Sequence, residues 1–455
     1  MKKVLSVLLA AIMVVSLAAC GSTAEAPAAT EAATEAAATE AAKETEAATT
    51  AAPAAEKQEE VTLYVYQQGI DAIDAWQELL RKFEAENPNV TCELMDSQDN
   101  YYATILTTGD CPDIINIDIG DIGNAMIDAG LIGNAGDTEV AKHVSADVIA
   151  KETYNGTVIG IPQGSAFPLV YYNMDMLKDA GWDKIPENRD EFIQCCADLK
   201  AAGHEAFTLP AGENSNPWMF YENVLANTSV TKIGVDEFQK QLHDGTYDFT
   251  AYEDAEKFLS DLAPYIMPGT ANFRDDDALA EVANGNVAMM MAGNWMSGVV
   301  IDAFATSTGD RTHVDASLPP FNAAGEDARM SVTFETPIGF SAVDGGEAHN
   351  AARLALFEFI FKPENYQILQ NARGCIPVTD DMTADQIKLD ACITNIIDKA
   401  NNAQTIPYGG GGVLDAEFKN EARVSLREAF SGNITAAEAE AQMKESIGKY
   451  NKNGQ

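Results

Sequence analysis

From Val61 onward the chain alternates between short β-rich apolar runs and stretches whose apolar residues recur every three or four positions. Val61-Thr62-Leu63-Tyr64-Val65-Tyr66 reads as a strand that stops at Gln67-Gln68-Gly69. Ile70, Ile73, Trp76, Leu79, Leu80 and Phe83 then make the buried stripe of a helix, ended by Asn87-Pro88-Asn89. Residues 90–95 are a second strand, 99–108 a helix and 112–117 a buried strand. This alternation predicts parallel sheet covered by helices on both faces. In such sheets ligands bind beyond the carboxyl ends of the strands, which singles out Gln67, Gln68, 96–100 and 118–121.

Two further apolar segments, 157–162 and 167–172, are separated by Gln163-Gly164-Ser165-Ala166, after which the chain is richer in helix. Residues 275–284 form a helix with acids in its first turn, where the helix dipole favours negative charge. A strand over 287–291 turns at Ala292-Gly293-Asn294 before Trp295. Another strand-like run at 336–343 precedes a helix through Leu354 and Phe359, and two helices broken at Ser431-Gly432-Asn433 close the chain.

The amino-terminal segment has a different grammar. Lys2 and Lys3, an apolar stretch over 4–15 and the small residues Ala18 and Ala19 read as an export signal over 1–19, too short for a comfortable membrane span. Leu17-Ala18-Ala19-Cys20-Gly21 resembles the lipobox of bacterial lipoproteins, which implies cleavage before Cys20 and acylation of its thiol. The rest of 20–60 is mostly Ala, Thr and Glu without a large apolar side chain, so it reads as a disordered tether. As a flexible coil it would reach about 35 Å. The expected placement is therefore the outer face of the bacterial cytoplasmic membrane.

The 455-residue chain carries a formal charge of -41, and losing Lys2 and Lys3 makes it -43. That excess argues against nucleic acid or anionic lipid surfaces as partners. Beside Cys20 there are six cysteines, Cys92, Cys111, Cys195, Cys196, Cys375 and Cys392, with no framework spacing, so buried reduced thiols are expected. No cluster has zinc-ligand spacing, and no cofactor is implied. Gly409 to Gly412 lacks the Lys-Ser/Thr of a phosphate loop, and Asp275-Asp276-Asp277 lacks the calcium-loop spacing, so a turn and a helix start explain them.

Five landmarks, in order, are similar to those of the extracellular solute-binding proteins of ABC importers, in particular the sugar-binding branch. They are Pro112-Asp113-Ile114 with Gly120-Asp121 and Asp128-Ala129-Gly130-Leu131, then 156–162 with Tyr171-Tyr172-Asn173, then Pro186 to Phe192. Asn284-Gly285-Asn286 with Gly293-Asn294-Trp295, and Gly374-Cys375-Ile376-Pro377-Val378, complete the set. Asn188 and Arg189 replace the threonine and tryptophan of the third pattern, and Glu335-Thr336 stands where a glycine pair is usual. The resemblance implies an α/β, two-lobed periplasmic-binding-protein-like fold of type II, each lobe a mainly parallel sheet flanked by helices, with the ligand cleft between them. One lobe would hold 61–161 plus 337–375, the other 162–336 plus 376–455. It further implies a monomer that captures a carbohydrate by hinge closure and delivers it to the transmembrane subunits of an ABC permease.

Sugars present hydroxyls at their edges and C–H patches on their faces, so their sites need planar polar groups and aromatic faces. Trp295 stands where the family places a stacking aromatic, beside Asn294, and Trp218 opens a helix after a polar loop; a core role is the alternative for each tryptophan. Asp121 matches the family's cleft aspartate, with a helix cap as its alternative. Asp118, Gln67 and Gln68 follow strand ends, while Gln163, Ser165 and Glu335 flank lobe crossings. Arg373 is a cleft donor or a cation ending a helix. The rival readings are the same fold binding a polyamine, another cation or a peptide, and a glycan-degrading enzyme using Asp118 or Asp121 with Glu335. No serine–histidine constellation or G-x-S-x-G supports an enzyme.

Overall fold

The first sheet grows from Val61–Tyr66, whose Val61, Leu63 and Val65 are buried on one side while Tyr64 stays exposed. In this computed structural model residues 59–67, 72–96, 98, 100–213, 216–382, 386, 388–407, 414 and 416–450 are described. The expected signal, Cys20, the tether, Gln68 and the 409–412 glycines lie outside them. In chain order the strands are β1 Val61–Tyr66, β2 Val90–Met95, β3 Ile114–Asn116, β4 Thr153–Tyr154, β5 Thr157–Val158, β6 Ile161–Pro162 and β7 Ser165–Ala166. They continue as β8 Pro168–Asn173, β9 Glu205–Thr208, β10 Val287–Gly293, β11 Val314–Ser317, β12 Arg329–Phe334, β13 Pro337–Phe340 and β14 Gln404–Pro407.

Two sheets organise the two lobes. The first has the order β2-β1-β3-β13-β6, the second β11-β8-β10-β9, and a third sheet, β14-β12-β7, lies beside the crossings. Helix Ile73–Glu86 buries Trp76, Leu79, Leu80 and Phe83 on the first sheet, as the helical spacing requires, but Ile73 in its first turn is left exposed. Core residues of the first lobe include Val65, Ile114, Ile161, Ile338, Phe357 and Leu369. Those of the second include Phe192, Trp218, Phe249, Met289, Phe321 and Phe418. Helix Arg189–Ala202 shows how a departure from the family pattern is tolerated. Asn188 replaces the usual threonine and its Oδ1 accepts from Glu191 N at 3.1 Å, so the helix keeps a capping acceptor.

The sheets are less parallel than strand–helix alternation implies. β1 pairs in parallel with β2 and β3, but β13 is antiparallel to both β3 and β6. In the second lobe β8 is antiparallel to β10 and β11, and only β10 and β9 run together. The cause is the chain path: β6 leaves the first lobe and β13 re-enters it, so the two crossing segments run in opposite directions side by side. Close to the third crossing, Val378 and Met382 still pack on the first lobe's core, several residues past the expected boundary at 375. The six described cysteines are thiols; four are buried, and burial pushes the half-buried Cys111 thiol up to about 11.

Candidate ligand cleft and its crossings

The strand ends of the first lobe bring together most of the polar groups singled out above. Gln67 follows β1 and is buried, and in the register of β1 and β3 it falls next to Asn116. Asn116 interrupts an isoleucine run at the end of β3 and is 2% exposed, yet neither Nδ2 nor Oδ1 has a partner. Its carbonyl accepts from the Tyr102 hydroxyl at 2.6 Å. Tyr66 lies between Tyr101 and Tyr102, with ring centroids 4.4 and 5.7 Å away, so the end of β1 is bordered by aromatic rings.

Asp118 follows two residues later. It keeps an exposed surface while protein crowds it on most sides, as expected on the wall of an open cleft. That crowding pushes its carboxyl up to about 6, against the pull of a hydrogen bond from Thr336 and of the Lys419 charge. Thr336 belongs to a crossing and Lys419 to helix Ala416–Phe430 of the second lobe, so Asp118 sits where the lobes face each other. Glu152, buried behind it, is raised to about 7 by burial and then by the Asp118 charge. Asp121 is exposed in the first turn of helix Asp121–Asp128, where Gly120 rather than Asp121 holds the cap position.

The crossings use their polar side chains internally. Gln163 Nε2 donates to the Thr336 carbonyl at 3.0 Å, and its Oε1 accepts from Arg373 Nη1 at 3.3 Å. Glu335 is buried and ion-paired with Arg373. Asn294 Oδ1 accepts from Phe167 N at 2.8 Å, and its Nδ2 donates to the carbonyls of Ser165 and Gly374, both at 3.1 Å. The Ser165 amide donates to the Ile376 carbonyl at 2.8 Å. Gln163, Asn294 and Glu335 are therefore clamps of the crossings in this conformation, not open ligand contacts, because their side-chain groups already meet protein. Arg373, the last residue of helix Pro363–Arg373, is neither a cleft donor nor an exposed terminal cation but half of a buried pair.

The tryptophans separate clearly. Trp218 has no exposed surface: helix Asn216–Thr228 is buried on every side, and the indole ring meets Tyr221, Phe249 and Phe418 edge-on. It offers no face to a ligand, and the polar loop before it is a poor guide to its surroundings. Trp295 is half-buried at the seam of two core clusters and lies across Gly293, where a Cβ would stand 2.1 Å from the ring. One ring face is thus seated on backbone, which is how an aromatic platform is held flat.

Asn116, Tyr101, Tyr102, Thr336 and Lys419 were not among the expected site residues. Asn116 alone carried a signal, as a lone amide inside an apolar strand; the others reach the site through the fold. Of three surface hollows of about 430, 370 and 350 Å³, the first, lined by Gly234 and Asp236, and the third, lined by Arg189 and Asp261, lie away from these strand ends, whereas the second, lined by Tyr64 and His349, also reaches Met95 and Tyr101. An open gap between lobes is broad, so enclosure is a poor marker for it. Among the described residues no group of three His, Cys, Asp or Glu side chains is placed to hold a metal.

The family described as bacterial extracellular solute-binding protein matches residues 69–367. A multiple sugar-binding protein of Streptococcus mutans is 26% identical over 160 residues, 34% of this chain and 38% of that protein. A binding protein of Brucella abortus is 25% identical over 233 residues, 49% of this chain and 55% of that protein. The matched segments thus span from a little over a third to about half of these relatives' lengths. Among solved structures, a chitin oligosaccharide binding protein superposes with a TM-score of 0.68 at 21% identity, over 86% of this chain and 98% of its own. The binding protein RafE with raffinose gives 0.69 at 17% identity, over 85% and 99%. The fold is that of type II periplasmic binding proteins.

Proposed function

The chain belongs to the bacterial extracellular solute-binding proteins and is thus an exported protein, and we propose that it captures a carbohydrate for an ABC importer. The observation that carries the sugar reading is the buried Asn116 amide, which holds a donor and an acceptor without partners beside Asp118 and the tyrosines of the strand ends. A buried amide left unpartnered costs stability, and a pair of sugar hydroxyls supplies the missing acceptor and donor. Trp295 on its glycine seat supplies the flat face. Structural neighbours that hold raffinose and maltose support the same choice. The Asp118 carboxylate on the wall disfavours an anionic sugar.

The mechanism is closure. The two lobes turn about the crossings, bury the ligand and present the closed form to the permease subunits. No bond of the ligand is altered: Glu335, needed as a facing carboxylate in the enzyme reading, is turned inward onto Arg373. Acylated Cys20 and the 20–60 segment tether the monomer to the outer face of the cytoplasmic membrane, where it meets the permease. A ligand that binds only the folded chain raises its Tm, so the test is a thermal-shift series with raffinose, stachyose, maltose, chitin and xylan oligosaccharides, and spermidine. A saccharide that raises Tm in a dose-dependent way is the expected result. A response to spermidine alone overturns the sugar reading in favour of a cation-binding protein of the same fold. Replacing Cys20 by alanine should release the protein from the membrane fraction.

A further inference from the structure

The chain passes between lobes at 163–164, at 335–336 and at 374–376, and each passage is gripped from a different side. From the first lobe, helix Pro363–Arg373 packs Tyr366 and Leu369 into the core and sends two side chains into the crossings. Gln370 Nε2 donates to the Gln163 carbonyl, and Arg373 pairs with Glu335 while reaching Gln163 Oε1. From the second lobe, Asn294 holds Ser165 and Phe167 of the first passage and Gly374 of the third. Gln163 and Thr336 are thus fastened with the first lobe, and the Ser165 and Phe334 backbones, paired between β7 and β12, with the second, while the Phe334 ring packs on the first lobe's core.

The residues left between the two grips are Gly164 and Glu335, joined by the Glu335 amide donating to the Gly164 carbonyl at 2.8 Å. Gly164 has a φ of +154° and no room for a side chain, since a Cβ would lie 2.5 Å from Cys375 Cβ. A turn of one lobe against the other passes through this pair and through the third passage at 374–376. Glu335 therefore stands at the turning point with its carboxylate held by an arginine of the first lobe, 3% exposed. The same passage touches the ligand wall: the Thr336 hydroxyl donates to Asp118 Oδ2 at 3.3 Å, and the Thr336 carbonyl accepts from Gln163.

We propose that the Glu335–Arg373 pair is a catch on the hinge, setting the resting angle of the lobes and receiving the state of the cleft through Thr336 and Asp118. The two residues are positioning residues, since both are buried and turned onto each other. The inference rests on the capture-by-closure reading, but not on which solute is captured. A buried ion pair that ties the turning point to one lobe is costly to break halfway, so it favours one angle over a continuum.

The test uses the full chain without ligand, then with raffinose as probe. In the doubly neutral variant Glu335→Gln with Arg373→Gln, small-angle scattering should show a broader spread of lobe angles. Amide exchange at Glu335 and Ser165 should be at least tenfold faster, with the Val287–Gly293 strand unchanged. Arg373→Lys, which keeps the charge but loses the fork, is the variant to use should the double one not fold, and it should show the same local effect at about threefold. Thr336→Val should leave both ligand-free measurements as in the parent and remove the slowing of those two amides that raffinose causes. An unchanged angle spread, or exchange that quickens evenly through the molecule, overturns the catch and leaves only a structural ion pair. If raffinose changes nothing in the parent, that choice of sugar fails while the ligand-free measurements still decide the catch.

Discussion

Three buried amides within a short stretch of the fold behave in two ways. Asn294 and Gln163, in the crossings, have protein partners at both ends of the amide. Asn116, at the adjoining strand end, is as buried and has none at either end. The same division separates the tryptophans, with Trp218 enclosed by rings and Trp295 left half open. A buried polar or aromatic group that the fold has matched stabilises the fold, whereas one left unmatched is available to something else. The first kind should therefore fail in stability assays and the second in binding assays.

Several substitutions would break that division if it is wrong. Trp218→Ala should cost about 3–5 kcal/mol of stability by denaturant unfolding, with sugar affinity of the folded protein unchanged. A loss of affinity without a loss of stability would return Trp218 to the cleft.

The second lobe's core supplies a pH test. Tyr221 donates to Glu440 Oε1 at 2.6 Å, and burial raises that carboxyl to about 8. Because the folded chain holds this proton more tightly than the unfolded one, folding takes up a proton between pH 4.5 and 8. Stability from this group is full below that interval and falls as pH rises through it, by up to about 1.4 kcal/mol per pH unit. Glu440→Gln should flatten the slope measured by urea unfolding; an unchanged slope would show that Glu440 is ionised in the fold.

Asn294→Ala strands the Phe167 amide and two carbonyls, and should lower stability by about 3 kcal/mol. Asn116→Ala should do the reverse, leaving stability equal or higher while weakening the responsive sugar by about 1–3 kcal/mol in calorimetry. Trp295→Ala is the mildest, with about 1 kcal/mol of lost stacking affinity. Were Asn116→Ala to destabilise the fold without touching affinity, the unmatched amide would be a packing fault and not a site.

Much of the architecture follows from local pattern. Val61–Tyr66, the stripe through Trp76 and Phe83, and the break at Gly432 are dictated by side-chain periodicity and turn chemistry, which act over a few residues. Strand ends also pointed to Asp118 and Gln67, because sheet geometry places ligands there. Direction of pairing was less legible: β6 and β13 pair Pro162 with Pro337, 175 residues apart, and only the chain's return path sets them antiparallel.

By itself the sequence determined the elements, their order, the acidic surface and the set of polar residues near strand ends. Tertiary structure alone decided which of those residues are spent. Gln163, Glu335 and Asn294 look from their neighbours as ready for a ligand as Asp118 does. Their partners Arg373, Thr336, Phe167 and Gly374 come from distant parts of the chain. Hydrogen-bond satisfaction is a property of what surrounds a group in space, and no local spacing encodes it.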